Sequence, residues 1–156
     1  MIRRAEMRDI PDILNLLIQV NMVHHNGRPD LFNGPATKFT ADELEELIPD
    51  DTHPIFVLTD EDDTHVLGHA FCEIKQNQSS HILTGIRTLY IHDLCVDENC
   101  RGQHVGTQLY HYVLAFAKEQ ECHNITLNVW ACNPVAFQFY QKLGMQVQKY
   151  GMETIL

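Results

Sequence analysis

Between Asp97 and Leu109 the chain reads Arg101-Gly102-Gln103-His104-Val105-Gly106-Thr107, a polar loop with glycines at Gly102 and Gly106. An extended run precedes it and a helical one follows. Glycines at such a junction let the backbone turn tightly and aim N–H groups outward. The N-terminus of the following helix adds roughly half a positive charge, so an anion such as a pyrophosphate is stabilised there without a cluster of lysines. The same spacing also serves close strand–helix packing, and on its own it leaves both roles open. Two nucleotide signatures are excluded: no Gly-Lys-Ser/Thr follows, and the glycine spacing is not that of a dinucleotide fingerprint. Ten histidines offer no His-x-x-x-His or His-Glu-x-x-His helix pattern, and five cysteines contain no Cys-x-x-Cys pair. No metal site and no disulfide framework are therefore expected.

The surrounding elements must position this loop. Ile86 to Asp97 alternates as a strand, which places Leu89, Ile91, Asp93 and Cys95 on one side and Tyr90, His92, Leu94 and Val96 on the other. After the loop, Val105, Leu109, Tyr112, Val113 and Phe116 recur at helical spacing until about Glu121, and Ile125 to Trp130 reads as a strand. Asn133 can cap a last helix with Pro134 at its first position and Gly144 at its end. Met145 to Tyr150 and Met152 to Leu156 are expected as closing strands. Upstream, Ile2 to Glu6 starts a strand. Asp9 precedes a helix with Ile13, Leu14, Leu17 and Val20 on its buried face, ending at the His24-His25-Asn26-Gly27 break. Thr40 and Glu43 have the spacing of a capping box for a short acidic helix that stops at Pro49. Ile55 to Leu58 and Val66 to Lys75 suggest an antiparallel hairpin. With 156 residues and neither repeat nor linker, residues 1–156 form a single domain.

The formal net charge is −10, and Asp42 to Asp63 alone carries all of it, with no Lys or Arg in that stretch. The balance argues against nucleic acid and anionic membrane surfaces as partners and for a cationic one. Gly85 to Lys149 is neutral, which suits an anion held by backbone dipoles. No signal-peptide core and no membrane-length apolar run is present, so a cytoplasmic protein with reduced thiols is expected.

Leu94-Cys95-Val96-Asp97, followed by Arg101-Gly102, Gly106 and Leu109, resembles the strand and acyl-coenzyme A loop of the GNAT superfamily of N-acetyltransferases. Asn133, Ala136, Phe139-Tyr140 and Leu143-Gly144-Met145 are similar to the last helix of that family. The resemblance implies a mixed α/β (α+β) fold with a mostly antiparallel central sheet flanked by helices, and acetyl-CoA as cosubstrate. It implies that the strand around Leu94, Cys95 and Val96 splays from its neighbour to offer backbone groups to the pantetheine arm. Arg101, Gly102, Gln103, His104, Val105, Gly106 and Thr107 would hold the pyrophosphate, and Asn133 and Ala136 would complete the cofactor site. His104 departs from the family pattern, which has Gly or Ala there; at negative φ its ring could point to solvent or donate to a phosphate.

Tyr140 matches the family's proton donor to the departing thiolate and also belongs to the cofactor site. His92 stands where many relatives carry Glu, and a histidine there can accept the amine's proton. His25, Arg28 and Asp93 are the candidate acceptor-binding residues, with Asp93 expected on the face opposite His92. The expected activity is direct attack of the primary amine of a small cationic molecule on acetyl-CoA. Two alternatives are a protein lysine or N-terminal acetyltransferase and a non-catalytic acyl-CoA-binding sensor. The resemblance also implies a homodimer, with strands near Met152 to Leu156 pairing across a two-fold.

Overall fold

The computed structural model describes residues 1–156. Five strands lie in the order β1 (Ile2–Arg4), β2 (Ile55–Thr59), β3 (Val66–Gln76), β4 (Arg87–Val96) and β5 (Asn124–Leu127). Every pairing is antiparallel except the parallel β4–β5 pair. Four helices flank the sheet: α1 (Ile10–Gly27), α2 (Ala41–Leu47), α3 (Val105–Glu119) and α4 (Pro134–Lys142). No helix is long and apolar enough to cross a membrane.

The local rules act as expected at the helix ends. Thr40 and Glu43 cap α2 reciprocally, each side chain accepting from the other residue's backbone N–H. Asn133 caps α4 by accepting from the Ala136 N–H at 3.2 Å. Past α4, Gly144 takes φ +93°, the Gly144 N–H bonds Gln141 and the Met145 N–H bonds Tyr140, which is a Schellman stop.

Two cores sandwich the sheet. Ile13, Leu16 and Leu17 of α1 and Leu44 of α2 pack on Ile55, Val57, Phe71 and Cys95. Across the sheet, Tyr110, Val113 and Ala117 of α3 pack on Phe56, Ala70, Cys72, Leu89 and Ile91. The two sets alternate along β2 and β3, as a sheet covered on both faces requires.

The structure departs from the sequence expectations at three places. β4 does not alternate throughout: Phe71 pairs with Asp93 and Cys72 with Ile91, so His92 is an extra residue, a β-bulge. Leu89 and Ile91 face α3, but Cys95 faces α1. The phase change turns Asp93 to the α1 face, the side on which the His92 and Tyr90 rings meet. β5 ends at Leu127 rather than Trp130, because β4 runs past it without pairing. Finally, residues 145–156 form no strand. No backbone group from Gln146 to Leu156 is hydrogen-bonded within the chain.

Candidate active site

β4 and β5 pair only from Thr88–Asn124 to Ile91–Leu127. From His92 to Val96 the β5-facing edge of β4 is open, and the strands separate there. Leu94 and Val96 direct their side chains to the α3 side, among Leu58, Val105 and Leu109. Cys95 is buried under α1, its thiol donating to the Leu16 carbonyl at 3.4 Å. Burial pushes that thiol up to about 12, as it does the Cys72 thiol, so neither is a thiolate nucleophile at neutral pH.

The Arg101–Thr107 loop leads directly from the end of β4 into α3. Gly102 has φ +82° and open space around it. Gly106 is buried where any Cβ would come within 3.1 Å of Phe139 and 3.4 Å of Val96, so this glycine lets the loop seat against both β4 and α4. The backbone N–H groups of Gly102, His104, Val105, Gly106 and Thr107 have no acceptor within the chain. They gather at the positive end of the α3 dipole. His104 adopts φ +60°, ψ 16°, the left-handed conformation, and not the negative φ on which its expected phosphate contact depended. Such a conformation costs a non-glycine residue roughly 1–2 kcal/mol, which is a physical reason for a small residue at this position. The Arg101, Gly102, Gln103 and His104 side of the loop is exposed.

Tyr140 lies on α4 beside Phe139, ring centroids 5.1 Å apart. Its hydroxyl forms no hydrogen bond within the chain. Burial raises its pKa far above the ordinary phenol value, and the nearby Asp93 carboxylate adds to the rise, so it remains a protonated donor at neutral pH. Asn133, capping the same helix through its side-chain oxygen, keeps its amide N–H groups free.

On the α1 face of β4 a set of polar side chains converges. His92 Nε2 donates to Glu73 Oε2 of β3 at 2.7 Å. A proton held on Nε2 leaves Nδ1 with a free lone pair. Burial pushes the Glu73 carboxyl up, but the His92 hydrogen bond and the charges of Lys75, His92 and His53 outweigh it and leave the group below its ordinary value. His53 Nε2 stands 3.8 Å from the other Glu73 oxygen, while its Nδ1 donates to Asp50 at 2.8 Å. Polar contacts thus run from His92 to the acidic end of α2. Tyr90 meets His92 edge-on at 4.7 Å, accepts from Asn128 Nδ2 at 3.1 Å and lies under the Lys75 ammonium.

Asp93, with a side chain only 12% exposed, holds the Lys38 ammonium at 3.1 Å. Its charge also reaches His24, whose pKa is lowered by burial against the opposing pull of Asp93. Phe32 stacks between His24 and Trp130, at 5.1 Å from each ring, and so ties the α1–α2 loop to the segment after β5. His25 Nδ1 donates to the Phe32 carbonyl at 2.7 Å and its ring lies against Gly34, so it shapes this loop from within. Arg28 is engaged by Asp30 and Glu153.

The geometry brings together Tyr140, Asp93, the open edge of β4 and the glycine loop; it ties His92 to Glu73 nearby and leaves His25 and Arg28 in internal contacts. Glu73, Tyr90, Lys38 and Asn128 were not singled out from sequence. Glu73 becomes visible only through the β3–β4 register, which sets it opposite Tyr90.

Residues 22–145 match the Acetyltransferase (GNAT) family profile. The chain belongs to the GNAT acetyltransferase family. A mutant of the BH1408 protein from Bacillus halodurans is similar over 100% of this chain and 99% of its own, with 28% identity and a TM-score of 0.94. The GNAT fold is shared at lower identity by glucosamine-6-phosphate N-acetyltransferase from Arabidopsis thaliana, at 22% identity, TM-score 0.72 and coverage of 99% and 97%. An aminoglycoside acetyltransferase from an uncultured soil metagenomic sample, solved with trehalose, is similar at 19% identity, TM-score 0.74 and coverage of 100% and 95%. No curated protein matches the sequence significantly. GNAT enzymes use acetyl-CoA as acyl donor, and the residues here fit that molecule. Unpartnered N–H groups meet the need of a pyrophosphate, the open β4 edge that of an amide-bearing arm, and the free Asn133 amide that of a further carbonyl.

Proposed function

We propose that this GNAT protein transfers the acetyl group of acetyl-CoA to a primary amine on a small cationic molecule by direct attack. The observation that carries the reading is the Lys38–Asp93 pair: an alkylammonium group rests on a largely buried carboxylate whose field acts on the Tyr140 hydroxyl. An acceptor amine presented by a substrate has the same chemistry as the Lys38 side chain and competes for the same carboxylate.

The N–H groups of Gly102 and of His104 to Thr107 hold the pyrophosphate, the open edge of β4 at Leu94 to Val96 binds the pantetheine arm as an added strand would, and Asn133 holds an amide of that arm. Bound there, acetyl-CoA supplies an activated thioester. Asp93 attracts and orients the acceptor ammonium. An amine of pKa ~10.4 is almost wholly protonated at pH 7, a deficit of ~4–5 kcal/mol in free lone pair, so a proton must leave before attack. His92 accepts it at Nδ1, directly or through water, with Glu73 holding the ring in the Nε2–H form. The Glu73 carboxylate, bonded to Nε2, stabilises the imidazolium that results. Tyr140, kept protonated by its buried setting, donates to the departing sulfur. The buried Cys95 and Cys72 thiols are protonated, which supports transfer without an acyl-cysteine.

The neighbours named for glucosamine-6-phosphate and aminoglycoside acetylation support an amine on a small polar molecule as the acceptor class. Five free cysteines suit a cytoplasmic setting. The test is release of coenzyme A over a panel of diamines, amino sugars, amino-acid derivatives and lysine peptides. Turnover with small cations is expected. Preference for peptides would move the acceptor to protein, and binding of acetyl-CoA without turnover of any amine would overturn the catalytic reading. Tyr140→Phe is expected to lower kcat by about 100-fold with coenzyme A binding nearly unchanged, as loss of a general acid does.

A further inference from the structure

We infer that Lys38 is itself an acetyl acceptor: with acetyl-CoA bound and no amine present, the chain acetylates Lys38 in cis, and the modified side chain no longer covers Asp93. The inference rests on the acetyl-transfer reading, because this lysine lies where that reading sets the substrate amine. Lys38 Nζ is 3.1 Å from Asp93 Oδ2, and the Asp93 charge reaches the Tyr140 hydroxyl. The Lys38 ammonium and Asp93 also act on His24 in opposite directions, which sets the pair between β4 and α1. The base of the side chain is fixed while its end is free. Phe39 stacks on Phe71 at 5.5 Å, the Thr37 hydroxyl donates to the Phe39 carbonyl, and Thr40 caps α2, so the neighbours of Lys38 hold its backbone. The Lys38 side chain is 46% exposed and has no ion pair besides Asp93. Its flexible four-carbon stem lets Nζ move without the backbone following. Tethering presents this amine at a roughly millimolar local concentration.

The step balances. One proton of the Lys38 ammonium passes to His92, directly or through water, and Nζ attacks the thioester carbon. A C–N bond forms, the C–S bond breaks, and Tyr140 protonates the departing sulfur. The second nitrogen proton, released as the amide forms, restores the Tyr140 hydroxyl. Acetylation removes the positive charge, so Nζ cannot pair with Asp93 again and the carboxylate is left open to a cationic substrate. Lys75 provides a control within the same chain. Its side chain is 47% exposed and also ion-paired, with Glu73 at 3.5 Å, but it lies over the Tyr90 ring rather than on Asp93. Chemical acetylation governed by exposure alone would mark the two lysines at one rate.

Peptide mass spectrometry tests this on the full chain, first treated with a lysine deacetylase and then mixed with acetyl-CoA and no amine. A gain of about 42 Da is expected at Lys38, at least about 10-fold faster than at Lys75. The rate constant is expected to be the same at about 2 and about 50 μM chain, as a reaction in cis requires, and about 100-fold lower in Tyr140→Phe. Equal rates at Lys38 and Lys75, a rate constant that rises with chain concentration, or an unchanged rate in Tyr140→Phe overturns the inference. Lys38 left unmodified overturns it as well, and coenzyme A release over the amine panel then separates the two failures. Turnover of amines leaves acetyl transfer standing without self-acetylation, whereas no turnover removes both.

Discussion

His69 of β3 lies wholly inside the protein, fully buried, and neither ring nitrogen has a hydrogen-bond partner. It packs edge-on against Phe71 at 4.9 Å and is in register with Val57 on one side and Cys95 on the other. Burial alone holds its pKa at about 3, against an ordinary 6.5. Between these two values the unfolded chain binds a proton that the folded chain refuses. Stability from this residue is complete above pH 6.5 and is lost as pH falls below it. From pH 7.5 to pH 5 the loss amounts to about 2 kcal/mol, which for a domain of this size lowers Tm by roughly 4–8 °C. His69→Leu removes the titrating group and keeps the position apolar. Urea unfolding of both proteins at each pH isolates the effect, because every other group titrates in both. The wild-type-minus-variant difference is expected to shift by about 2 kcal/mol toward the variant at pH 5. A constant difference would refute the reasoning and mean that His69 is hydrated or paired.

Three further outcomes follow from the site. Glu73→Gln is expected to lower kcat/KM by at least about 10-fold while coenzyme A affinity, measured by calorimetry, stays unchanged, because the His92 ring loses the charged acceptor that fixes its tautomer. Lys38→Met is expected to lower KM for a small cationic amine about threefold at low salt, since the substrate no longer competes with an internal ammonium for Asp93. His104→Gly is expected to raise unfolding free energy by about 1 kcal/mol in a denaturant titration, by relieving the left-handed backbone at the start of α3.

Much of the fold was legible because it rests on local signals. The Thr40–Glu43 box, the Asn133 cap, the Gly144 stop and the hydrophobic spacing of α1 and α3 each act within a few residues, and each is found in place. The order of elements followed from them, and the GNAT resemblance from the Leu94–Leu109 and Asn133–Met145 motifs. What was not legible depends on pairing across strands. The bulge at His92 exists only in relation to β3, and strict alternation put Asp93 on the wrong face. Glu73 and Lys38 are far in sequence from the residues they touch. The expected closing strands carry a strand's residue types, but residue type gives no partner, and Gln146 to Leu156 pair with nothing in the chain.

The bulge has a further consequence for how this protein can vary. On its N-terminal side β4 is bound to the α3 core through Leu89 and Ile91; past it, Asp93 turns to the α1 face and holds Lys38. The extra residue decouples the two halves, so substitutions at His92 and Asp93 do not require the Leu89 and Ile91 contacts with α3 to be repacked. Deleting His92 would leave Cys72–Ile91 and Phe71–Asp93 as consecutive pairs, so Asp93 keeps its face while the strand loses the side chain that bonds Glu73. In this chain the one-residue bulge in β4, as much as its composition, decides which face of the sheet Asp93 takes.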